Sequence, residues 1–527
     1  MNTANIPAGR TAPCRGRASL VVLVMLVAMG LCLAASARAA SCESLASLSL
    51  PDATITIAQT VPAGAFTMPA SYNPPVLMGS IPVSFGDLPA FCRVAATLKP
   101  TADSDIKIEV WLPVAGWNGR FQAVGNGGWA GFISYPFLSE ALRQGYATAS
   151  TDTGHAAANA IFALGHPEKV VDFAYRSEHE MTLKAKAIIA AFYGNTPRYS
   201  YWNGCSTGGK QGLTEAQRFP ADYDGIVAGS PANNMIHLHA WTLGLSQAAH
   251  KSPESFIPPA KFAVIHSAVI DACDTLDGVK DGLLEDPRRC HFNPKVLECK
   301  GGDGPDCLTA AQLATAQRMY SPAINPRTKK EIFPGVEFGS ELAWGTMIGP
   351  EPPSVAVDTF RYEIFKNPEW DYRTLNFDSD IAFADKVDGG LNTATNPNLK
   401  LFFSHGGKLL MYDGWNNALV TPRNTLNYFT SVVKFMGGPA KTAGSVRLFL
   451  APGMDHCRGG EGPNEFDLMG AISQWVEQGK APEEMIASHR TKGKVDRTRP
   501  LCPYPRVAKY KGTGSTDEAV NFACARP

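Results

Sequence analysis

Two short stretches far apart in the chain restrict what it can fold into: Gly204-Cys205-Ser206-Thr207-Gly208 and His456-Cys457. The first is a G-x-S-x-G pentapeptide with a cysteine beside its serine, and the second sets a cysteine beside a histidine. A disulfide holds its Cα atoms roughly 4.4–6.8 Å apart, so a bond between these cysteines would close a loop of about 250 residues in any fold the chain adopts. Ser206 and His456 would then lie within hydrogen-bonding reach, as a nucleophile and its base require.

The N-terminus bears on whether the cysteines are oxidised. Arg10, Arg15 and Arg17 precede an apolar run from Leu20 to Ala35, and Ala37-Arg38-Ala39 gives a small-x-small cleavage pattern. The pattern predicts a secretory signal peptide over residues 1–39, with an uncleaved membrane anchor as the competing reading of so long a run. Neither Cys32 nor Cys42 follows a good leucine-containing lipobox. Cleavage would take Cys14 and Cys32 from the 12 cysteines and leave an even number in an oxidising setting, secreted or periplasmic.

With 48 basic and 48 acidic side chains the net charge is zero, which argues against a polyanion-binding surface, and nucleic acid is not an expected partner. No later apolar run reads as long enough to span a bilayer, and no stable membrane association is expected. A mature chain of about 490 residues calls for one large domain with a sizeable insertion, or for two domains.

Short apolar runs recur at Lys107–Leu112, Arg120–Val124, Tyr146–Ser150, Tyr199–Trp202, Gly225–Ala228, Lys408–Tyr412 and Val446–Ala451. Such runs fit strands buried on both faces of a largely parallel sheet. Helical periodicity lies between them. Ser177-Glu178-His179-Glu180 reads as a capping box that opens a helix through Met181–Tyr193 to Gly194, and a second helix runs from Phe466 to Gln478 and stops at Gly479. The alternation predicts an α/β sheet with helices on both faces. From about Asn233 to Leu399 the rhythm breaks into a Pro- and Asp-rich stretch with four cysteines and the helix-like Ala310–Met319. The reading is an inserted lid domain over residues 233–399, between the two parts, 40–232 and 400–527, of an α/β-hydrolase domain.

The pentapeptide sits where a nucleophile elbow should, because Tyr199–Asn203 reads as a strand and Lys210–Gln217 as the start of a helix. A sharp turn there would expose Ser206 Oγ and aim the N–H of Thr207 at a developing oxyanion. The second donor is expected from Gly125-Asn126-Gly127-Gly128-Trp129, at Gly127 or Gly128, directly after the strand Arg120–Val124. His456, in Pro452-Gly453-Met454-Asp455-His456-Cys457 just past Val446–Ala451, falls where the last member of the order Ser, acid, His belongs. A surface histidine beside a structural disulfide is the plainer alternative.

With these residues together the chain resembles the tannase and feruloyl esterase family of α/β-hydrolases, which also contains the mono(2-hydroxyethyl) terephthalate hydrolase. The likeness spans essentially the whole mature chain. It is carried by Asn203-Gly204-Cys205-Ser206-Thr207-Gly208-Gly209, Ser150-Thr151-Asp152-Thr153-Gly154-His155, Gly406-Gly407-Lys408-Leu409-Leu410-Met411-Tyr412 and Gly453-Met454-Asp455-His456-Cys457. The resemblance implies that Ser206 is the nucleophile, His456 the base, and Cys205–Cys457 the disulfide that joins them. It also implies the pairs Cys42–Cys92, Cys273–Cys290, Cys299–Cys307 and Cys502–Cys524, a choice that spacing alone leaves open among many connectivities.

The acid is where this chain departs from the family pattern. Relatives carry a strand followed by Tyr-His-Gly-x-x-Asp, and this sequence has Tyr412-Asp413-Gly414-Trp415-Asn416-Asn417. Asn417 therefore stands at the acid position. Three outcomes are open: Asn417 orients the imidazole through its amide oxygen, Asp413 swings in to compensate, or the third member is lost and catalysis is impaired. In a serine protease the Asp-to-Asn change costs about 10⁴ in turnover because the histidine takes the wrong tautomer.

A second constellation lies in the insert, from Asp271 to Leu283, where carboxylates cluster with Asp-Gly turns. Hard cations such as Ca²⁺ take such oxygens, but the spacing is not that of an EF-hand, and an ordinary acidic turn reads equally well. The resemblance implies a structural Ca²⁺ held by the side chains of Asp274, Asp277 and Asp281 and the backbone carbonyls of Val279 and Leu283.

The expectation is thus a secreted serine carboxylic-ester hydrolase that cleaves small-molecule aromatic esters, feruloyl, other hydroxycinnamoyl or galloyl, through an acyl-enzyme. Hydrolysis of phthalate-type monoesters, or a catalytically impaired binding protein on the same scaffold, are the alternatives. Trp129, Phe360, Tyr362, Phe365 and Trp370 are candidate pocket aromatics, each of which packing in a core would explain as well.

Overall fold

Nine strands form one mixed sheet in a computed structural model that describes residues 41–69 and 84–527. In chain order they are β1 (Ala53–Val61), β2 (Phe91–Leu98), β3 (Ile106–Pro113), β4 (Arg120–Val124), β5 (Ala147–Thr151), β6 (Tyr199–Cys205) and β7 (Gly225–Gly229). A short separate pair follows, β8 (Ala323–Ile324) and β9 (Glu331–Phe333), and then β10 (Lys408–Gly414) and β11 (Val446–Ala451) complete the sheet. Its order is β1-β2-β3-β5-β4-β6-β7-β10-β11. The predicted leader lies outside the described residues.

From β5 to β11 every pairing is parallel, and those strands are buried almost without interruption, as both-face coverage requires. Alternate side chains enter two different cores. Trp202, Ile226, Leu409 and Met411 pack with helices Ser177–Tyr193, Thr207–Arg218 and Pro422–Phe435, while Tyr201, Val227, Leu410 and Tyr412 pack with helix Leu468–Gln478. The α/β architecture is the one the sequence implies.

The sheet is largely parallel as read, with an antiparallel edge where β1, β2, β3 and β5 pair, and two local expectations are corrected. β1 alternates exposed Thr54 and Thr56 with half-buried Ile55 and Ile57, a period-2 edge pattern that a search for continuous apolar runs passes over. Ser177 is not an N-cap: the backbone is already helical at Pro167–Val171 and Asp172–Arg176, Arg176 is in the right-handed helical region, and Ser177 is buried with no capping bond. The stop at Gly194 is as expected, with φ 75°. Finally, the helical stretch Pro253–Asp277, of mean hydropathy 1.3, is by length and composition alone apolar enough to cross a bilayer. Its apolarity has a core explanation, since Phe262 and Ile265 are buried with Trp241 and Trp344.

The residues between β7 and β10, which are neighbours in the sheet, build their own apolar cluster around Trp241, Phe262, Trp344 and Phe360. That cluster extends to Ala418 and Val420, beyond the end of β10. Among the described residues five disulfides are present, Cys42–Cys92, Cys205–Cys457, Cys273–Cys290, Cys299–Cys307 and Cys502–Cys524, and all match the implied pairing.

An ionic clamp also ties the insert to the C-terminal part. His266 is held between Glu341, at 2.9 Å from Nδ1, and Glu461, at 2.9 Å from Nε2. Burial alone would lower the imidazole pKa, but the two carboxylates outweigh it and raise it to about 9. A folded-state pKa above the unfolded value gives stability that is full below about 6.5 and is lost as pH rises through about 9. The stability difference between wild type and His266→Gln, read from denaturant midpoints, is therefore expected to be largest near pH 6 and to shrink above pH 9. A difference independent of pH would remove the clamp.

Candidate active site

Ser206 occupies the turn between β6 and the helix Thr207–Arg218 with φ 63° and ψ −122°, a conformation rare for a residue with a side chain. Backbone bonds hold it there: Ser206 N–H donates to Gly229 O at 3.0 Å, and Ala232 N–H donates to Ser206 O at 3.1 Å. The glycines around it are steric requirements. A Cβ on Gly204 would lie 2.5 Å from Gly208 O, and one on Gly125 would lie 2.6 Å from Gly208 Cα. Three backbone segments meet at contact distance only because none has a side chain there.

The loop after β4 is fixed to the same helix. Gly208 N–H donates to Asn126 O at 2.8 Å, Asn126 N–H donates to Gln211 Oε1 at 3.0 Å, and Thr207 Oγ1 donates to Gly128 O at 3.0 Å. Buried Gln211 also donates to the Glu178 carboxylate, and Asn126 Nδ2 donates to Thr151 O at 2.9 Å. Among the described residues the N–H groups of Thr207, Gly127 and Gly128 donate to nothing, as an oxyanion hole needs. Asn126, Gln211 and Glu178 position this loop and were missed in the sequence. A buried glutamine on a helix that is buried all round has no signature distinct from a surface one.

The loops after β10 and β11 are stitched to each other. Trp415 N–H donates to Ala451 O at 2.9 Å and Asn416 N–H to Met454 O at 3.0 Å, an approach in which a Cβ on Gly414 would fall 2.1 Å from Met454 O. The Cys205–Cys457 bond, with Cα atoms 6.0 Å apart, then ties the His456 loop to the Ser206 turn. No hydrogen bond joins Ser206 Oγ to the His456 ring among the described residues. Such contacts commonly tighten only with substrate bound. Desolvation holds the His456 imidazole at about 4, below its ordinary value, so the ring is neutral near pH 7, the form a general base must have.

His456 Nδ1 lies 3.2 Å from Asn417 Oδ1. The same oxygen accepts from the N–H groups of Leu419 and Val420, each at 3.0 Å. Asp413 stands one layer behind. Its fully buried carboxylate accepts from Asn417 Nδ2 at 2.8 Å, Ser230 Oγ at 2.8 Å, Gly414 N–H at 2.9 Å and Thr425 Oγ1 at 2.5 Å. The alternative in which Asp413 swings onto the imidazole is corrected on this ground: the swing would strand four buried donors. Ser230 and Thr425 complete this layer and were not anticipated.

In the acidic loop, Asp274 accepts from the N–H of Gly282 at 3.1 Å, Asp277 from that of Val279 at 2.9 Å, and Asp281 from that of Leu283 at 3.2 Å and from Arg499. The carboxylates of Asp274 and Asp277 and the backbone carbonyls are oxygens of the kind a hard divalent cation takes, while Asp281 is already paired with the buried guanidinium of Arg499. Among the described residues the three-residue set whose metal-ligand atoms all lie within 4.8 Å of one another is a different one, His179, Glu215 and Asp222. There His179 is already paired with Asp222 at 2.7 Å and stacked on Phe219. Of the aromatic candidates, Phe360, Phe365 and Trp370 pack ring against ring in the core of the insert. Trp129 and Tyr362 share a separate cluster with Phe173 and Val355, and Trp129 Nε1–H donates to Val355 O at 3.0 Å.

Comparison with known proteins points to one family. The family model described as tannase and feruloyl esterase matches residues 92–525. An uncharacterized esterase of Xanthomonas campestris is 38% identical, with 96% of this chain and 94% of that protein covered. A probable feruloyl esterase B-1 of Aspergillus oryzae is 34% identical over 91% of this chain and 92% of its own length. The crystal structure of feruloyl esterase B from Aspergillus oryzae superposes with a TM-score of 0.86 at 32% identity, covering 92% of this chain and all of that one.

The Cys205–Cys457 bond is expected to serve geometry as well as stability. Replacing both cysteines by alanine should cost roughly 2–5 kcal/mol of stability and, because a displacement near 1 Å suffices, lower kcat by about 10²-fold or more. Denaturant melts and ester turnover on the refolded variant check both, and full kcat in the variant would show that the bond does not align the site.

Proposed function

The chain belongs to the tannase and feruloyl esterase family and is a carboxylic ester hydrolase acting on a small-molecule ester, and on that premise we propose that it is a serine esterase of aromatic carboxylic esters working through an acyl-enzyme. The observation that carries the reading is the Cys205–Cys457 bond, which joins the strained Ser206 turn to the loop of His456. Ser206 Oγ attacks the ester carbonyl while His456 Nε2 takes its proton. The oxyanion is held by the N–H of Thr207 and that of Gly127 or Gly128. His456 then returns the proton to the departing alcohol, and water attacks the acyl-Ser206 ester by the same route in reverse.

The feruloyl esterases among the relatives favour a feruloyl or other hydroxycinnamoyl acyl group over galloyl. Residues 233–399 act as the lid in this reading. Support comes from Val355, whose Cγ2 lies 3.9 Å from where a Cβ on Gly128 would be, against the oxyanion loop. Five disulfides support a secreted or periplasmic location. A Ca²⁺ held by Asp274, Asp277, Asp281 and the carbonyls of Val279 and Leu283 would neutralise carboxylates crowded in one turn, a structural role with no part in the chemistry.

Ser206→Ala is expected to lose at least roughly 10⁴ in kcat and the burst of p-nitrophenol from an aromatic p-nitrophenyl ester. In a panel of methyl ferulate, methyl gallate and a terephthalate monoester, methyl ferulate should have the highest kcat/KM. Turnover that survives Ser206→Ala would sink the serine mechanism, and a preference for the terephthalate monoester would move the substrate to phthalate-type esters. Metal analysis should find one calcium per chain, and chelation should lower the Tm of wild type but not of Asp277→Asn. An unchanged wild-type Tm would argue for an ordinary acidic turn.

A further inference from the structure

We propose that Asp413 is a positioning residue for the reaction: acting through Asn417, it fixes the tautomer of His456 and supplies, one layer back, the negative charge that position 417 lacks. The inference rests on the reading of Ser206 and His456 as nucleophile and base, and deepens it.

An asparagine beside a catalytic histidine is dangerous because its amide has two ends. If Nδ2 faces Nδ1, the ring is driven to carry its proton on Nε2, where it can no longer take one from serine. The surroundings of Asn417 allow one orientation. The N–H groups of Leu419 and Val420, at 3.0 Å, can only donate, so the atom facing them is Oδ1. The Asp413 carboxylate, at 2.8 Å, accepts, so the atom facing it is Nδ2. A flipped amide would oppose donors to donors and oxygen to oxygen, all of it buried. With Oδ1 thus held, Nδ1 of His456 at 3.2 Å must be the N–H, and Nε2 keeps its lone pair for the Ser206 proton.

Asp413 is also placed to be ionised. Burial raises its pKa to about 6, opposed by hydrogen bonds from Asn417, Thr425, Ser230 and Gly414. A charge-assisted bond to Nδ2 pulls electron density through the planar amide toward Oδ1 and strengthens its acceptance from an imidazolium. No proton passes along this chain: Nδ1–H stays on the ring throughout, and only the Ser206 proton moves, to Nε2. Compared with the family pattern Tyr-His-Gly-x-x-Asp, the carboxylate stands at 413 instead of 417, with an amide inserted between it and the ring.

The test is a four-protein cycle of wild type, Asp413→Asn, Asn417→Asp and the double variant, assayed for kcat and KM on methyl ferulate. Asp413→Asn should lower kcat roughly 10²-fold with KM within about twofold, less than the 10⁴ of a full tautomer error because Leu419 and Val420 still brace the amide. The double variant, which moves the carboxylate to 417, should recover most of that loss. Histidine-labelled nitrogen NMR, with His456→Gln for assignment, should find the His456 proton on Nδ1 in wild type and a tautomer mixture in Asp413→Asn. Wild-type kcat in folded Asp413→Asn, a double variant no better than the single one, or an Nε2–H ring in wild type would each overturn the proposal. Activity that survives Ser206→Ala would instead overturn the serine mechanism, and the NMR result would still decide the role of Asp413.

Discussion

The geometry of the site depends on one covalent constraint. β6 and β11 are separated in the sheet by β7 and β10, a span of about 14 Å at the usual strand spacing, yet the Cα atoms of Cys205 and Cys457 are 6.0 Å apart. The loop after β11 must therefore run back across the carboxyl ends of two intervening strands. Gly414 admits it, because no side chain blocks the carbonyls of Met454 and Asp455, and the disulfide holds it there. The carboxyl ends of parallel strands are where open α/β sheets generally gather their functional loops. Here the arrangement is locked by a bond across the top of the sheet.

What the sequence made legible follows from how local the signal was. β4 and β11 are bounded as read, and β5, β6 and β7 to within two or three residues, because parallel strands buried on both faces are continuous apolar runs. The elbow was equally visible, since strand, glycines and helix all fall within twenty residues. β1 and β2 were invisible to that criterion, and the capping box at Ser177 was a false signal because a helix already entered from Pro167. The partners of the site were less legible still. Gln211 and Asn126, or Ser230 and Thr425 around Asp413, are far apart in sequence and meet only through tertiary packing. The departure at Asn417 could be read from the family pattern, but its consequence depended on which end of an amide faces a ring, and that is decided by two backbone N–H groups together with the Asp413 carboxylate.

Two chains of mostly buried polar groups flank the elbow. Glu178, Gln211 and Asn126 form one chain that fixes the oxyanion loop, and Asp413, Asn417 and His456 form another that fixes the base. Apart from the half-buried His456 ring their members are buried, where each hydrogen bond narrows the arrangements open to its partners. The two meet at Ser206: its N–H is bound to Gly229 O, the residue before Ser230, whose hydroxyl donates to Asp413. Strain at φ 63° is thus held from both sides by groups that could not relax without exposing buried donors.

The inserted residues take part in this rigidity on the base side. Asn417 is followed at once by Ala418 and then by Val420, and both are buried in the core of the insert with Trp241 and Phe360. Glu461, five residues past His456, is held by His266 of the insert, which also binds Glu341. The loops that carry His456 and Asn417 are therefore each anchored twice, once to each other through Trp415 and Asn416 and once to the insert. An insert that only covered the site could loosen without harm to the base. Anchored in this way, its packing and the orientation of the imidazole become one mechanical unit, so substitutions deep in the Trp241 cluster should reach kcat through Asn417 with no contact to substrate.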